Sequence, residues 1–423
     1  LKKVLIISYF FPPSNFVGAE RTFSWAQNLH KNNIYPVIVT RCWNDGQKDI
    51  VDKVEENVHK IEKNEFYEVH YLPYNQSLRD KLSDYPSLKV FQKALSLIEL
   101  IFSNFVLRLI PYNNLYFYSK ELLRQDKDIK IVIASGRPFQ SFYFGYLLKK
   151  QFPIKWIPDY RDEWNTHQNN DFTKSFIHKF ISKLEAKSEL KWTSNADAFI
   201  SVSDYWVNQI SNFIDKDGVV IMNGYNKLNP LKNSNQEPKL KIVYAGTLYE
   251  SQKIELFIDS CKSISKMPEY TDAIEVTFIG IELQAGTHSK ILKLISGFEH
   301  VFRVLPRLPK NELNTNLENS DVLLMTGFEN VKGWYPVKLF EYFATNKPIL
   351  LFPSDRDVIE NFIIDTGSGF VVNTVEEGKE LLVNWIQNKR NNIPISLTRN
   401  DEKREFFSRS YQNNLLGEFL NKI

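Results

Sequence analysis

Lys338 and Glu341 stand three residues apart, just after a Gly333-Trp334-Tyr335-Pro336 stretch, and this grouping is the strongest chemical signal in the chain. A Gly/Pro loop that opens a helix leaves several backbone N–H groups without intrahelical acceptors, and such an N-terminus binds a diphosphate. Lys338, in the first turn, would add a point charge beside the phosphates. Glu341, one turn further on the same face, can accept hydrogen bonds from a pair of ribose hydroxyls. Taken only as a surface pair at i, i+3, the two are worth about a few tenths of a kcal/mol, and spacing alone does not choose between the readings.

Other groups carry weaker signals. Asp355-Arg356-Asp357 follows the apolar run 349–352 and has the form of a divalent-metal ligand pair. It reads better as the acidic first turn of a helix. His59, His70, His167, His178, His288 and His300 show no metal-ligand pairing, so no metal is expected. The loop 15–21 is a phosphate cradle or a tight strand-to-helix turn. Its Asn15-Phe16-Val17-Gly18 lacks the Gly-x-Gly-x-x-Gly that nicotinamide binding needs. Asp162 taken singly is a helix N-cap or an ion-pair partner of Arg161. Lys253 taken singly is a solvated helix residue.

Short β-branched runs at 4–8, 36–40, 131–134, 155–157, 198–202 and 219–222 alternate with helical patterns, beginning with a helix over 19–31. Uninterrupted apolar strands between helices indicate parallel strands covered on both faces, hence a doubly wound sheet. The segment 226–239, rich in Asn, Lys and Pro, reads as an interdomain linker. The rhythm restarts at Leu240, with strand-like runs at 275–279, 301–305, 322–325, 348–352 and 370–372. The expected organisation is therefore an N-terminal Rossmann-like domain over 1–228 and a second over 239–401. A last helix over 402–423 could cross back onto the first domain. Two such sheets facing one another would leave a cleft at the carboxyl ends of their strands.

At 423 residues the chain suits two domains. A formal charge of +3 argues against a nucleic-acid partner. Cys42 and Cys261 have no metal-ligand spacing and fit a reducing cytoplasm as ordinary thiols. The first residues form a strand-length run rather than a signal peptide. The segment 90–110 is interrupted by Gln92, Lys93, Glu99, Asn104 and Arg108, so it is an amphipathic helix rather than a span. Packing within the first domain is the expected role, with docking on a membrane surface as the alternative.

The stretch from Gly333 to Leu350, with its Pro336-Val337-Lys338-Leu339-Phe340-Glu341-Tyr342 core and Lys347-Pro348-Ile349, resembles the donor-binding signature of the retaining GT-B glycosyltransferase family 4. The resemblance runs in register along nearly the whole chain. Ser8 to Pro13 and Gly18 to Arg21 resemble the family's first strand and glycine loop. Asp159-Tyr160-Arg161-Asp162-Glu163-Trp164 resembles a stretch of a polysaccharide-building branch. Ser201-Val202-Ser203, Asn223-Gly224-Tyr225 and Tyr244 to Leu248 match the junction of the two domains.

The resemblance implies a two-domain GT-B fold and a cytoplasmic, metal-independent, retaining glycosyltransferase without a cofactor. Its partners would be a nucleotide-diphosphate sugar and a glycan or polyprenyl-linked acceptor, with peripheral membrane contact a further implication. Gly18 would let the backbone approach the donor phosphates. Lys253 and Lys338, with the amides around Gly333, Val337 and Leu339, would neutralise the departing diphosphate. Thr247 lies in the same loop, Glu341 would bind ribose, and Arg307 and Leu308 would edge the base. Arg161 and Asp162 would face the acceptor or the transferred sugar. Gly333 stands where many members carry a sugar-contacting glutamate, Val17-Gly18 where they carry two glycines, and Thr247 where they carry an arginine. A 2-epimerase on the same fold, or a silent sugar-nucleotide or glycan binder, are the other readings.

Overall fold

In the computed structural model the chain divides into two units, Leu1–Asn223 with Arg409–Ile423, and Gly224–Ser408. The structure describes residues 1–47, 50, 52–82, 85–166, 176–229 and 237–423. His167 and residues 230–236 of the expected linker lie outside these. Residues 224–229 belong to the second unit, where the Asn229 amide donates to the Ala344 carbonyl at 2.7 Å.

The first unit is built on eight strands: β1 (Lys2–Ser8), β2 (Ile34–Arg41), β3 (Lys60–Lys63), β4 (Glu68–Leu72), β5 (Ile129–Gly136), β6 (Lys155–Tyr160), β7 (Phe199–Ser201) and β8 (Gly218–Val220). Their spatial order is β3-β4-β2-β1-β5-β6-β7-β8, and only β3 runs antiparallel. Ile6 lies opposite Ile38 on one side and Ile133 on the other, all fully buried. A strand whose residues are buried on both faces has no polar alternation, which is why these runs were legible. β3 and β4 were not; Lys60-Ile61-Glu62-Lys63 is exposed along its length and owes its form to pairing with β4, and the buried run of β4 is broken in the sequence by His70. The helix Arg409–Lys422 inserts Leu416 and Leu420 into this unit's core beside Leu29.

The second unit has β9 (Leu240–Ala245), β10 (Ile274–Ile279), β11 (Phe302–Leu305), β12 (Val322–Met325), β13 (Ile349–Leu351) and β14 (Gly369–Val371), all parallel, in the order β11-β10-β9-β12-β13-β14. Numbered within the unit this is 3-2-1-4-5-6, the dinucleotide-fold order. Its connections reverse between β9 and β12, the point at which doubly wound sheets place their ligands, outside the strands' carboxyl ends. In the first unit the corresponding reversal lies between β1 and β5.

The amphipathic segment meets its expected role only in part. Helix Lys89–Phe102 half-buries Leu95, Leu97, Leu100 and Ile101 and leaves Val90, Phe91, Ile98 and Phe102 exposed, so part of its apolar surface stays unpacked within the unit. Among the described residues no helix is long and apolar enough to cross a membrane. Cys42 and Cys261 are both buried free thiols.

Candidate functional site

At the reversal point of the second unit, helix Val337–Ala344 begins after Pro336 without a side-chain cap. Its inner stripe carries Leu339, Phe340, Tyr342 and Phe343, all buried. The Tyr342 hydroxyl fixes the helix to β9, donating to the Ala245 carbonyl at 3.3 Å and accepting from the Ala245 amide at 2.6 Å. Lys338, on the opposite side of the first turn, is half-buried. Its ammonium lies 4.1 Å from the centre of the Tyr244 ring, donates to the Tyr244 hydroxyl, and reaches the Thr247 carbonyl at 3.5 Å. A Cβ at Gly246 would come within 4.0 Å of the Lys338 Cδ, so the loop leaving β9 runs along the lysine stem.

These partners of the ammonium are neutral. Desolvation pulls the Lys338 amine down to about 7, and the nearby Glu341 carboxylate opposes the shift. A lysine so placed stands ready to regain full charge when an anion arrives. Glu341 is exposed on the next turn.

Two loops frame this turn. Gln252 is buried and donates to Thr326 Oγ1 at 2.7 Å and to its carbonyl at 3.0 Å, which locks the loop after β9 to the loop after β12. Lys253, beside it, is exposed and paired with Glu329 at 2.7 Å. Gly333 is buried with φ at +72°, a left-handed backbone that glycine adopts without strain, and its amide donates to Asp357 at 2.5 Å. Trp334 follows, its ring 4.3 Å from Phe328 and 6.0 Å from Tyr249. At the carboxyl ends of β10 and β11, Gly280 packs against the backbones of Arg307 and Gly246. The Arg307 amide donates to Glu282 at 2.7 Å; its side chain is exposed, and Leu308 is half-buried.

The unit therefore gathers Thr247 and Lys338, sets Arg307 beside Gly280 near Gly246, and anchors Gly333 at the loop before the helix. Lys253 is instead engaged by Glu329. Leu339, named for the donor site, is fully buried, and its amide bonds the Pro336 carbonyl at 2.9 Å; helical periodicity turns it into the core. That leaves the Val337 and Lys338 amides as the outward donors of the first turn. Asp355 accepts from the amides of Ile359 (2.9 Å), Glu360 (3.0 Å) and Asp357 (3.3 Å), the helix-start role read for it. Burial raises its carboxyl nonetheless. Among the described residues no three His, Cys, Asp or Glu side chains are grouped to hold a metal ion.

In the first unit, Gly18 opens the helix Val17–Asn28 at the end of the loop after β1. Arg161, just beyond β6, lies directly over it. A Cβ at position 18 would fall 1.5 Å from the Arg161 Nη1, so only glycine admits the guanidinium there. Arg161 also faces the Phe10 ring at 5.6 Å and contacts Asp162 at 3.4 Å. Beneath them is a buried ion pair that sequence reasoning missed. Arg21 donates to both Asp159 oxygens at 2.9–3.2 Å and to the Ile221 carbonyl at 2.8 Å, and Ser135 donates to Asp159 at 2.8 Å. Its two members stand 138 positions apart, one inside a helix and one at the end of a strand, so nothing local announced the pair.

A second missed group is Glu189 on the helix Phe176–Thr193, fully buried, with Asn165 donating to it at 2.6 Å. Burial pushes its carboxyl up to about 7, against the Asn165 and Tyr160 hydrogen bonds that favour the anion. Because the folded state holds this proton more tightly than the unfolded chain, stability falls as pH rises from about 4.5 to 7. Glu189→Gln should reduce that slope and leave the variant more stable than the parent near pH 8. Urea midpoints at about pH 5 and 8 check it, and an unchanged slope would show that Glu189 does not titrate there.

No protein-family model matches the sequence, and no curated protein matches it. Solved structures share its architecture, among them the following three. An α,α-trehalose-phosphate synthase (UDP-forming) from Burkholderia vietnamiensis matches with a TM-score of 0.60 at 10% identity, covering 100% of each chain. HepE of Anabaena, in complex with UDP and glucose, matches at 0.55 and 11% identity, with 100% of each chain covered. A glycosyltransferase from Rickettsia africae matches at 0.55 and 14% identity, over 99% of this chain and 98% of that one. The likeness is one of fold. The chain has the two-unit, parallel-sheet α/β architecture of GT-B glycosyltransferases.

Proposed function

We propose that the chain is a retaining, metal-independent glycosyltransferase that moves a sugar from a nucleoside-diphosphate donor to a glycan or lipid-linked acceptor. The observation that carries this reading is Lys338: an ammonium held over a tyrosine ring by neutral partners, at an uncapped helix N-terminus, where a 3-2-1-4-5-6 sheet opens. The fold it shares with UDP-bound HepE supports the nucleotide.

In this reading the diphosphate lies on the Val337 and Lys338 amides, and Lys338 takes up the charge that grows on it as the glycosidic bond breaks. The transition state is oxocarbenium-like, as in glycoside hydrolysis. The acceptor attacks from the face the diphosphate leaves, and a phosphate oxygen takes the acceptor proton, so no carboxylate nucleophile is needed. Glu341 holds the ribose. Lys253 joins only by exchanging Glu329 for phosphate. Gly333 offers no carboxylate to the sugar, and the adjoining Trp334, Phe328 and Tyr249 rings offer it apolar faces instead. In the first unit, Arg161 and Asp162 serve the acceptor or the transferred sugar.

Nucleotide release from a panel of nucleotide sugars tests this, with and without a lipid-linked glycan acceptor. Release that requires acceptor supports transfer. Conversion of the donor into its C2 epimer without acceptor assigns the 2-epimerase chemistry, and absence of binding by any nucleoside diphosphate overturns the reading. Glu341→Ala should weaken binding of the free nucleoside diphosphate by about tenfold; an unaltered Kd would remove Glu341 from the ribose.

A further inference from the structure

Between β4 and β5 the first unit carries a long excursion, several of whose apolar side chains are exposed. Val90 is 78% exposed, Phe91 67% and Phe105 57%, and Ile98, Phe102 and Leu109 are about half exposed. Soluble proteins scatter such residues singly, whereas here they follow one another along a helix and the turn after it.

The charges in the same stretch are sorted by sign. The two acidic side chains described there are drawn inward: Asp80 is buried and bonded by Arg79 at 2.7 Å, and Glu99 is half-buried with Arg79 3.6 Å away. Among the described residues of 78–110, the exposed charges are Lys81, Lys89, Lys93 and Arg108, every one a cation. The excursion is also pinned in place. Asn114 donates to the Pro73 carbonyl at 2.7 Å, Tyr74 donates to Asp80 at 2.8 Å, and the Tyr112 ring lies 4.8 Å from that of Tyr9. Leaving β4 at its carboxyl end, it stands on the rim of the sheet that also carries Gly18 and Arg161.

We propose that this face docks the first unit onto an anionic phospholipid surface, with Phe91 and Phe105 entering the headgroup layer and Lys89, Lys93 and Arg108 meeting lipid phosphates. An amphipathic helix with a cationic flank lies in the plane of such an interface. A second copy of the chain is a poorer occupant, because a two-fold contact through this face would set its cations against themselves. Docking here brings the Arg161 rim to the bilayer, where a lipid-linked acceptor would reside. The docking claim itself rests on the exposed face and its charges, and stands apart from the nucleotide chemistry.

Sedimentation of the full chain with vesicles tests it, using phosphatidylcholine alone and phosphatidylcholine with about one-third phosphatidylglycerol. The expected result is binding to the mixed vesicles, several-fold weaker to the neutral ones, and weakened by raising salt from about 0.1 to about 0.5 M. Phe91→Ser with Phe105→Ser should lower partition by about tenfold or more while leaving nucleoside-diphosphate binding unchanged. Backbone hydrogen exchange over 89–109 should slow when anionic vesicles are added to the unaltered protein, a readout independent of any variant. Failure to sediment with either vesicle overturns the proposal. So does equal binding to both, or a concentration-dependent dimer abolished by Phe91→Ser. The glycosyl-transfer reading would survive any of these.

Discussion

Lys338→Ala is expected to lower turnover by about 10² or more, the loss that follows when a group stabilising a departing anion is removed. The geometry makes the effect specific. The amine is held by the Tyr244 ring and hydroxyl and the Thr247 carbonyl, none of which brings negative charge. In the free protein it therefore sits near neutrality at about 7. A diphosphate placed beside it raises its proton affinity, so binding near pH 8 should take up a proton. Calorimetry in two buffers of different ionisation heat reads that uptake directly. It should be present in the parent and absent in Lys338→Ala. Unchanged turnover in the variant would remove Lys338 from the chemistry, and binding without proton uptake would show that the anion lies elsewhere.

The second large effect concerns stability. Arg21→Met leaves the fully buried Asp159 carboxylate with the Ser135 hydroxyl and no cation. Stranding one partner of a buried pair destabilises by about 3–5 kcal/mol, while replacing both with apolar groups is far milder. The first unit should accordingly unfold at lower urea in Arg21→Met, and the combined Arg21→Met and Asp159→Leu variant should recover most of the loss. Circular dichroism through the urea transition measures both. A single variant within about 1 kcal/mol of the parent would mean that water or a neighbour rescues Asp159.

The two sheets were legible because parallel strands covered on both faces must be apolar without interruption, and 4–7, 131–134 and 322–325 could be little else. The turn into Lys338 was legible for a similar local reason: glycine and proline announce a helix start whatever packs around it. Legibility failed where a residue's role depends on what lies across from it. The exposed β3 has no periodicity of its own. Lys253 carries the residue type of a phosphate contact, yet nothing local says that Glu329, 76 positions away, is its neighbour. Leu339 was grouped with the donor residues because it stands beside Lys338 in the sequence, although one step around the helix points its side chain into the core.

The sequence by itself determined the two largely parallel sheets, most of their strands and the outward first turn of helix Val337–Ala344, since each follows from short-range sterics and the hydrophobic pattern. Only the tertiary structure decided that β3 and β4 join the first sheet, that Arg161 rests on Gly18, that Arg21 is buried against Asp159, that Lys338 lies over Tyr244, and that helix Lys89–Phe102 leaves part of its apolar surface exposed. Those are meetings between residues separated by up to about 140 positions, and the free energy of such a meeting depends on burial and dielectric environment, which exist only after the chain has closed around them.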